Sequence, residues 1–436
     1  MSAALAGTVA HAMPCGVLGD PGTRLLAGPP GHAGSEVLFD HLARLGRLEL
    51  SEVEPSALRS SITASGLEGR GGGQFPIAKK LDLAASSGGE PLVVVNASEG
   101  EPASRKDRTL LFARPHLVLD GAMVAAHAVG AREVVVYLHR SRRSETEALE
   151  RALEERHNDA AEVRLIDAPE RYVSGESSAV VSYLEGTGAL PRRRRLPVAA
   201  AGVRGRPTVV SNAETVANLA LIARLGATWF RAAGDASAGS SLLTLSGAVE
   251  APGTVVELVG PCTMGAVLSA YGGVAAPPSA VLVGGYEGTW VDGAAAFDAP
   301  LSRGAMHALG APLGCGLLAV LGHDACGLRT SARLVRWLAS QSAGQCGPCV
   351  IGLPEIADSL DEVGTGTAIR RDVRRLRMLT ASVAGRGDCG HPTGVATLVD
   401  STLVAFARDL GAHVRGRPCT RPPARFPLPA NPTEPR

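Results

Sequence analysis

With 436 residues, 43 Lys plus Arg against 42 Asp plus Glu and a formal net charge of +1, the chain lacks the basic excess that would grip nucleic acid or an anionic membrane. Its length exceeds what one small core needs and predicts two to four domains. No apolar run approaches the ~20 residues of a membrane-spanning helix, and residues 1–18 lack a signal-peptide pattern, so a soluble, cytoplasmic protein without direct membrane insertion is expected.

Residues 1–60 are weakly patterned and read as a lead-in with one helix over 35–45. The glycine-rich turn Gly66-Leu67-Glu68-Gly69-Arg70-Gly71-Gly72-Gly73-Gln74-Phe75-Pro76 follows. Without Cβ atoms at these glycines, backbone N–H groups can close on an anionic ligand such as a cofactor phosphate, and Arg70 would add charge. Gln74 stands where a dinucleotide fingerprint needs its third glycine, and no P-loop motif occurs. The chain's only lysines, Lys79, Lys80 and Lys106, fall in or near this region, which suggests that a compact ammonium is wanted there.

Strands at 92–95, 133–138 and 163–166 alternate with helices at 117–129 and 144–156, the latter opened by a capping box at Ser144 and Glu147. That order implies a parallel sheet covered by helices. Ligands bind beyond the carboxyl ends of such strands, where Asn96-Ala97-Ser98-Glu99-Gly100-Glu101 and Tyr172-Val173-Ser174-Gly175-Glu176-Ser177-Ser178 both emerge. Glu176, at a helix start, reads equally as an N-terminal cap or as a ligand-binding carboxylate. Arg192 to Arg195 form a basic run, and Gly202 to Thr215 carry a further polar motif.

Short strands punctuated by Gly and Pro occupy 241–285, and helices are predicted at 330–340, 354–363, 369–383 and 393–413. Between these helices lie Cys346-Gly347-Pro348-Cys349 and Cys389-Gly390-His391. Soft, anionic thiolates at such positions suit an iron–sulfur cluster, normally held by four of them. In a large chain of this kind the eight cysteines are thiols or metal ligands rather than disulfides. Cys15, Cys262, Cys315 and Cys326 lack ligand spacing and read as buried small hydrophobes. The Pro- and Arg-rich stretch 414–436 reads as a disordered tail.

The ordered set G-x-x-G-R-G-G-x-x-F-P, N-A-x-E-G-E-P, K-D-R and N-A-E-T, in which Asn212 and Thr215 stand, resembles the NADH-binding flavoprotein subunit of respiratory complex I and related diaphorase subunits, over about residues 60–410. The resemblance implies an α/β parallel-sheet FMN-binding domain at 61–235, a small β-grasp (SLBB-like) domain at 236–310, and a helical iron–sulfur domain at 325–413. It implies an NADH dehydrogenase-type oxidoreductase that moves a hydride from NAD(P)H to FMN and then single electrons through a cluster to a ferredoxin-like or thioredoxin-like 2Fe–2S partner, as a subunit of a redox complex. Cofactor-binding roles then fall on Gly69, Arg70, Gly71, Gly72, Lys80, Asn96, Glu99, Glu176, Asn212 and Thr215, with Phe75 stacking on the dinucleotide and Arg194 near its phosphates. Glu101 would sit beside the flavin as the catalytic carboxylate.

Cys346, Cys349 and Cys389 match three cluster ligands, but the first ligand position holds Ala343. A 4Fe–4S cluster with His391 or Cys419 as fourth ligand, a 3Fe–4S cluster, or a lost or zinc-binding site all remain open. Ser98 and Ser177 replace acidic residues of the family pattern, so a paralogue that has lost NADH binding, or a scaffold without cofactors, stands as the alternative.

Overall fold

The computed structural model describes residues 15–18, 23–28, 34–156, 159, 161–193, 195–233, 239–274 and 278–429. Ten strands, β1 (Cys15–Leu18), β2 (Leu92–Asn96), β3 (Glu133–Leu138), β4 (Glu162–Asp167), β5 (Thr208–Asn212), β6 (Ser241–Gly247), β7 (Val255–Leu258), β8 (Ala280–Val283), β9 (Thr289–Asp292) and β10 (Leu317–Leu321), form two sheets.

The first sheet has the order β4-β3-β2-β5 and is parallel throughout, as the alternation of strands and helices implies. Its centre is an apolar run, Leu92 to Val95, with both faces covered, which is how a fully buried parallel strand reads in sequence. On one face, helix Pro115–Val129 packs against helix Ala213–Ala232. They approach so closely that a Cβ at Gly121 would lie 1.8 Å from the Val216 carbonyl oxygen, so only glycine fits there.

The expected capping box is absent. Helix Arg143–Glu154 begins one residue earlier with no side-chain cap, and the Ser144 hydroxyl donates instead to the adjacent Glu145 carboxylate at 2.6 Å. Glu145 in turn pairs with Arg108.

The second sheet, β1-β7-β6-β10-β8-β9, is mixed and reaches beyond the 236–310 interval at both ends. β1 joins from the lead-in, parallel to β7, and β10 inserts between β6 and β8. Buried Glu257 on β7 fixes the lead-in further, accepting from the N–H groups of Leu25 and Leu26 at 3.0 and 2.8 Å.

Helices Gly327–Ser340, Leu353–Thr365, Arg370–Val383, His391–Ala405 and Ala407–His413 form the C-terminal layer. The last predicted helix is thus two, separated at Phe406. Through residue 429 the chain that follows is ordered rather than disordered. Phe426 is buried, and the carbonyls of Pro427 and Pro429 accept from Tyr286 Oη and Trp337 Nε1 at 2.7 and 3.1 Å. Prolines pre-set an extended chain whose carbonyls remain free to accept. No single helix among the described residues is long and apolar enough to cross a membrane.

Candidate functional site

The chain runs outward from β2 to β3 and β4, then returns to place β5 on the other side of β2. The boundary between β2 and β5 is therefore the point where strand order reverses, and a crevice opens there. Asn96 and Asn212 end these two strands and are direct register partners. Asn212 Oδ1 accepts from Lys106 Nζ at 3.0 Å and from Glu214 N at 3.1 Å, while its Nδ2 donates to Asp107 Oδ2 at 2.5 Å. Lys106 is itself buried and pairs with Asp107 and Glu214 at 2.8 and 3.0 Å. Burial alone would lower its pKa, but Asp107, Glu214 and Glu99 outweigh that effect and hold it above the ordinary lysine value.

The loops after β2 and β4 meet over this floor. Asn96 Nδ2 donates to the Gly175 carbonyl at 2.7 Å, and Asn96 Oδ1 accepts from Ser98 Oγ at 2.8 Å. A Cβ at Gly100 would stand 2.5 Å from the Tyr172 carbonyl oxygen, and one at Gly175 would stand 2.7 Å from Ser98 Oγ. The resulting cleft, about 550 Å³, is lined by Gly71, Gly72, Asn96, Glu99, Glu101, Glu176 and Asn212 of the expected residues.

Two of these carboxylates are occupied as helix caps. Glu99, held at a left-handed φ of 44°, accepts from the N–H groups of Asp107 and Arg108 and from Ser104 Oγ. Glu176 Oε2 accepts from the N–H groups of Ser178 and Ala179 at 2.8 and 3.0 Å, which gives the capping half of its two readings a geometric basis.

Glu101 is different. Its Oε2 accepts from Tyr286 N at 2.8 Å and from Tyr172 Oη at 3.4 Å, yet buried Oε1 has no hydrogen-bond partner. Burial pushes this carboxyl up to about 8, against the hydrogen bond from Tyr286 N and with a further push from Glu287.

Other expected residues lie outside the lining. The Arg70 guanidinium does not bring its charge to the cleft: Nη2 donates to the Ser240 carbonyl at 3.0 Å, and Thr215 Oγ1 accepts from Arg70 N at 2.8 Å. Gly69 closes the glycine turn by donating its N–H to the Phe75 carbonyl at 2.9 Å. Lys80 Nζ donates to the Val210 carbonyl at 3.0 Å and lies 5.9 Å from the centre of the Phe75 ring. Phe75 itself is 49% exposed, and Lys79 is exposed. In the basic run Arg192 pairs with Glu185; Arg194 lies outside the described residues.

The far wall of the same cleft carries Cys389, Gly390 and His391. Cys346, Cys349 and Cys389 converge here. Burial, then the nearby Cys346 and Cys389 sulfurs, hold the Cys349 thiol far above its ordinary range, and burial pushes Cys389 up to about 11. Neither proposed fourth ligand is free to join them. His391 engages Glu287 Oε1 through Nδ1 at 2.5 Å and the Leu338 carbonyl through Nε2 at 3.0 Å, while Cys419 sits beside Cys326 and His413.

Residues 62–221 match the Nuo51 FMN-binding domain, and residues 329–413 match the NADH-ubiquinone oxidoreductase-F iron-sulfur binding region. The NADH-quinone oxidoreductase F subunit of Streptomyces coelicolor is 30% identical over 406 residues, which cover 87% of this chain and 88% of that one. The chain belongs to the family of NADH-quinone oxidoreductase F subunits. One of the same family in Rhizobium meliloti, numbered 2 there, is 29% identical over 90% of this chain and 96% of its own length. Among solved structures, a chain of the NAD+-reducing NiFe hydrogenase in its H2-reduced state superposes with a TM-score of 0.76 at 30% identity, covering 83% of this chain and 63% of that one.

In this member of the family, the cleft fits a flavin on structural grounds. Its volume suits a cofactor, a close-packed glycine floor leaves room beside the asparagines, and one buried carboxylate oxygen lacks a partner. The cysteine set fits an iron–sulfur core at three corners. Burial and neighbouring sulfurs oppose ionisation of Cys349 and Cys389, which a cationic core would relieve.

Sequence reading did not assign Lys106, Asp107, Tyr172, Cys315 and Glu287 to the site, although all five line the cleft. Lys106 and Asp107 carried a signal in the K-D-R motif, as did Tyr172 in the polar motif after the third strand; Cys315 and Glu287 carried none. Cys315, expected as a plain buried hydrophobe, comes close to Glu101: a Cβ on Gly285 would lie 3.0 Å from Cys315 Sγ and 2.9 Å from Glu101 Oε2.

Proposed function

We propose that the protein oxidises NADH as a subunit of a multi-subunit redox complex, with FMN in the β2–β5 cleft and an iron–sulfur cluster on Cys346, Cys349 and Cys389. The observation that carries this reading is that one cleft has the glycine turn, Asn96, Glu101 and Asn212 on one side and Cys389 with His391 on the other. FMN held there would supply two-electron hydride acceptance from NADH and one-electron release, and an iron–sulfur cluster would supply single-electron transfer.

The chain's own groups supply placement and charge. Gly71, Gly72, Asn96 and Asn212 would hold the cofactor, and buried Lys106 keeps Asn212 oriented. Glu101 lines the cleft with one unpaired carboxyl oxygen and, with its proton retained through neutrality, can donate a hydrogen bond to a carbonyl group such as that of a nicotinamide amide. Half-exposed Phe75, beside the glycine turn, offers a ring on which a dinucleotide can stack. Val350 and Ile351, exposed directly after Cys349, offer an apolar face for a 2Fe–2S electron-transfer partner.

The test is the visible spectrum of anaerobically purified protein before and after NADH. Flavin bands that bleach with NADH, together with cluster absorption, are expected. Bands that bleach only with dithionite would replace this reading with a paralogue that draws its electrons from another protein, a possibility raised by Ser177 in place of an acid. Failure to bind added FMN would leave a scaffold.

A further inference from the structure

A second sulfur-bearing group lies away from the cleft. The Cys326 and Cys419 sulfurs and an imidazole nitrogen of His413 all fall within 4.8 Å of one another. The three come from separate places in the chain. Cys326 immediately precedes helix Gly327–Ser340, His413 ends helix Ala407–His413, and Cys419 stands in the extended segment that follows. Cys326 and His413 are fully buried, and Cys419 is partly so.

The histidine is already oriented as a ligand. Its Nδ1 lies 2.9 Å from the Val363 carbonyl oxygen, which can only accept, so Nδ1 carries the proton and Nε2 presents its lone pair. That lone pair accepts from the Cys419 backbone N–H at 3.1 Å, a hydrogen bond that a bound ion would replace. A backbone carbonyl fixing the tautomer from the far nitrogen is the usual support for a metal-binding imidazole. Two sulfurs and one nitrogen form a soft donor set with borderline character, suited to a d10 divalent ion and unsuited to Mg2+ or Ca2+.

A cavity of about 870 Å³ lies nearby, walled by Ala325 and Gly327, which flank Cys326 in sequence, and by Asp409 and Arg421.

We propose that Cys326, His413 and Cys419 bind a thiophilic divalent cation of the zinc class, which fastens the C-terminal segment to the helical layer. The part of the segment beside the three ligands is also tied down by Cys326 N to the Pro422 carbonyl at 2.7 Å, Ala424 N to Thr330 Oγ1 at 2.9 Å, Arg329 Nη1 to the Arg421 carbonyl at 3.3 Å and the Arg421–Asp409 ion pair, with Phe426 buried further on. Binding converts the two thiols to thiolates with release of their protons, so affinity rises with pH.

The experiment takes the full-length holoprotein, purified anaerobically, equilibrated with an equivalent of Zn2+ and desalted. Metal content is compared among wild type, Cys419→Ser and Cys346→Ser, the last reporting on the iron–sulfur motif. Zinc retained by wild type and Cys346→Ser but lost from Cys419→Ser is expected. In the wild type alone, bound zinc should slow iodoacetamide labelling of Cys326 and Cys419 by about tenfold or more, reversed by a chelator; this readout does not depend on whether the variant folds. Equal zinc in wild type and Cys419→Ser, labelling indifferent to zinc, or a Cys326–Cys419 disulfide in freshly isolated protein would each overturn the proposal.

Discussion

Glu101 shows how a single residue can be held in an unfavourable state by its surroundings. Its carboxyl is pushed up to about 8 in the folded protein, chiefly by burial, against an ordinary value of 4.5. Below the ordinary value both states carry the proton and the residue has no pH effect. Between the two values the unfolded chain releases a proton that the folded chain keeps, so stability falls as pH rises, and it levels off once the folded group also ionises. Glu101→Gln has no proton to lose. In flavin-free protein the variant should show a flatter dependence of melting temperature on pH between about 4.5 and 8, with a gain over wild type at the alkaline end of at most about 5 kcal/mol. An unchanged slope would place the proton on another group. The neutral amide should still orient a nicotinamide, so NADH oxidation should persist in the variant while its alkaline limb shifts.

At the scale of elements, the site depends on two loops that meet closely where Gly100 and Gly175 stand. Strands β2 and β3 were legible because buried parallel strands are short apolar runs, the edge strand β4 because its half-buried Val163 and Leu165 alternate with polar residues, and the polar motifs at their ends followed from topology. Helix Lys106–Ala113 was not legible. It has Lys106, Asp107 and Thr109 buried together with Leu110 and Leu111, so no apolar stripe marks it. Its inward charges make sense only once Glu214 and Asn212, about a hundred residues on, are seen beside Lys106. Arg70 misled for the opposite reason: a cation in a glycine turn suggests a ligand, yet its guanidinium turns to the Ser240 carbonyl and lies 3.9 Å from Glu214 Oε1.

The contact between loops is directly testable. Gly100→Ala places a Cβ 2.5 Å from the Tyr172 carbonyl oxygen and 3.3 Å from its Cα, all backbone that cannot rotate aside. The expected cost is about 1–3 kcal/mol, with weaker FMN binding in a fluorescence titration, because the loops bearing Glu101 and Glu176 must separate. Gly88→Ala, which meets nothing within 4 Å, is the control and should leave both quantities unchanged. Equal behaviour of the two variants would mean that the loops yield without cost.

At the scale of the whole molecule, the C-terminal segment connects the helical layer to the flavin side. Proline-rich composition suggested disorder, but the composition averaged over one decisive side chain. Phe426 is 3% exposed, with its ring near-parallel to Tyr286 at 6.2 Å and to Trp290 at 6.3 Å. Tyr286 then links outward in two directions: its Oη donates to the Pro427 carbonyl and its backbone N donates to Glu101 Oε2. The segment thus braces the residue whose backbone N–H holds the Glu101 carboxylate. Phe426→Ala should cost about 3–5 kcal/mol, the usual range for emptying a buried phenyl site, read as a lower melting temperature. It should also weaken FMN binding, because Tyr286 loses the ring that fixes it and Glu101 loses a firmly held donor. A melting temperature unchanged from wild type would show that the segment is not packed in solution. A lowered one with unaltered FMN affinity would confine its role to the helical layer and remove the link to Glu101.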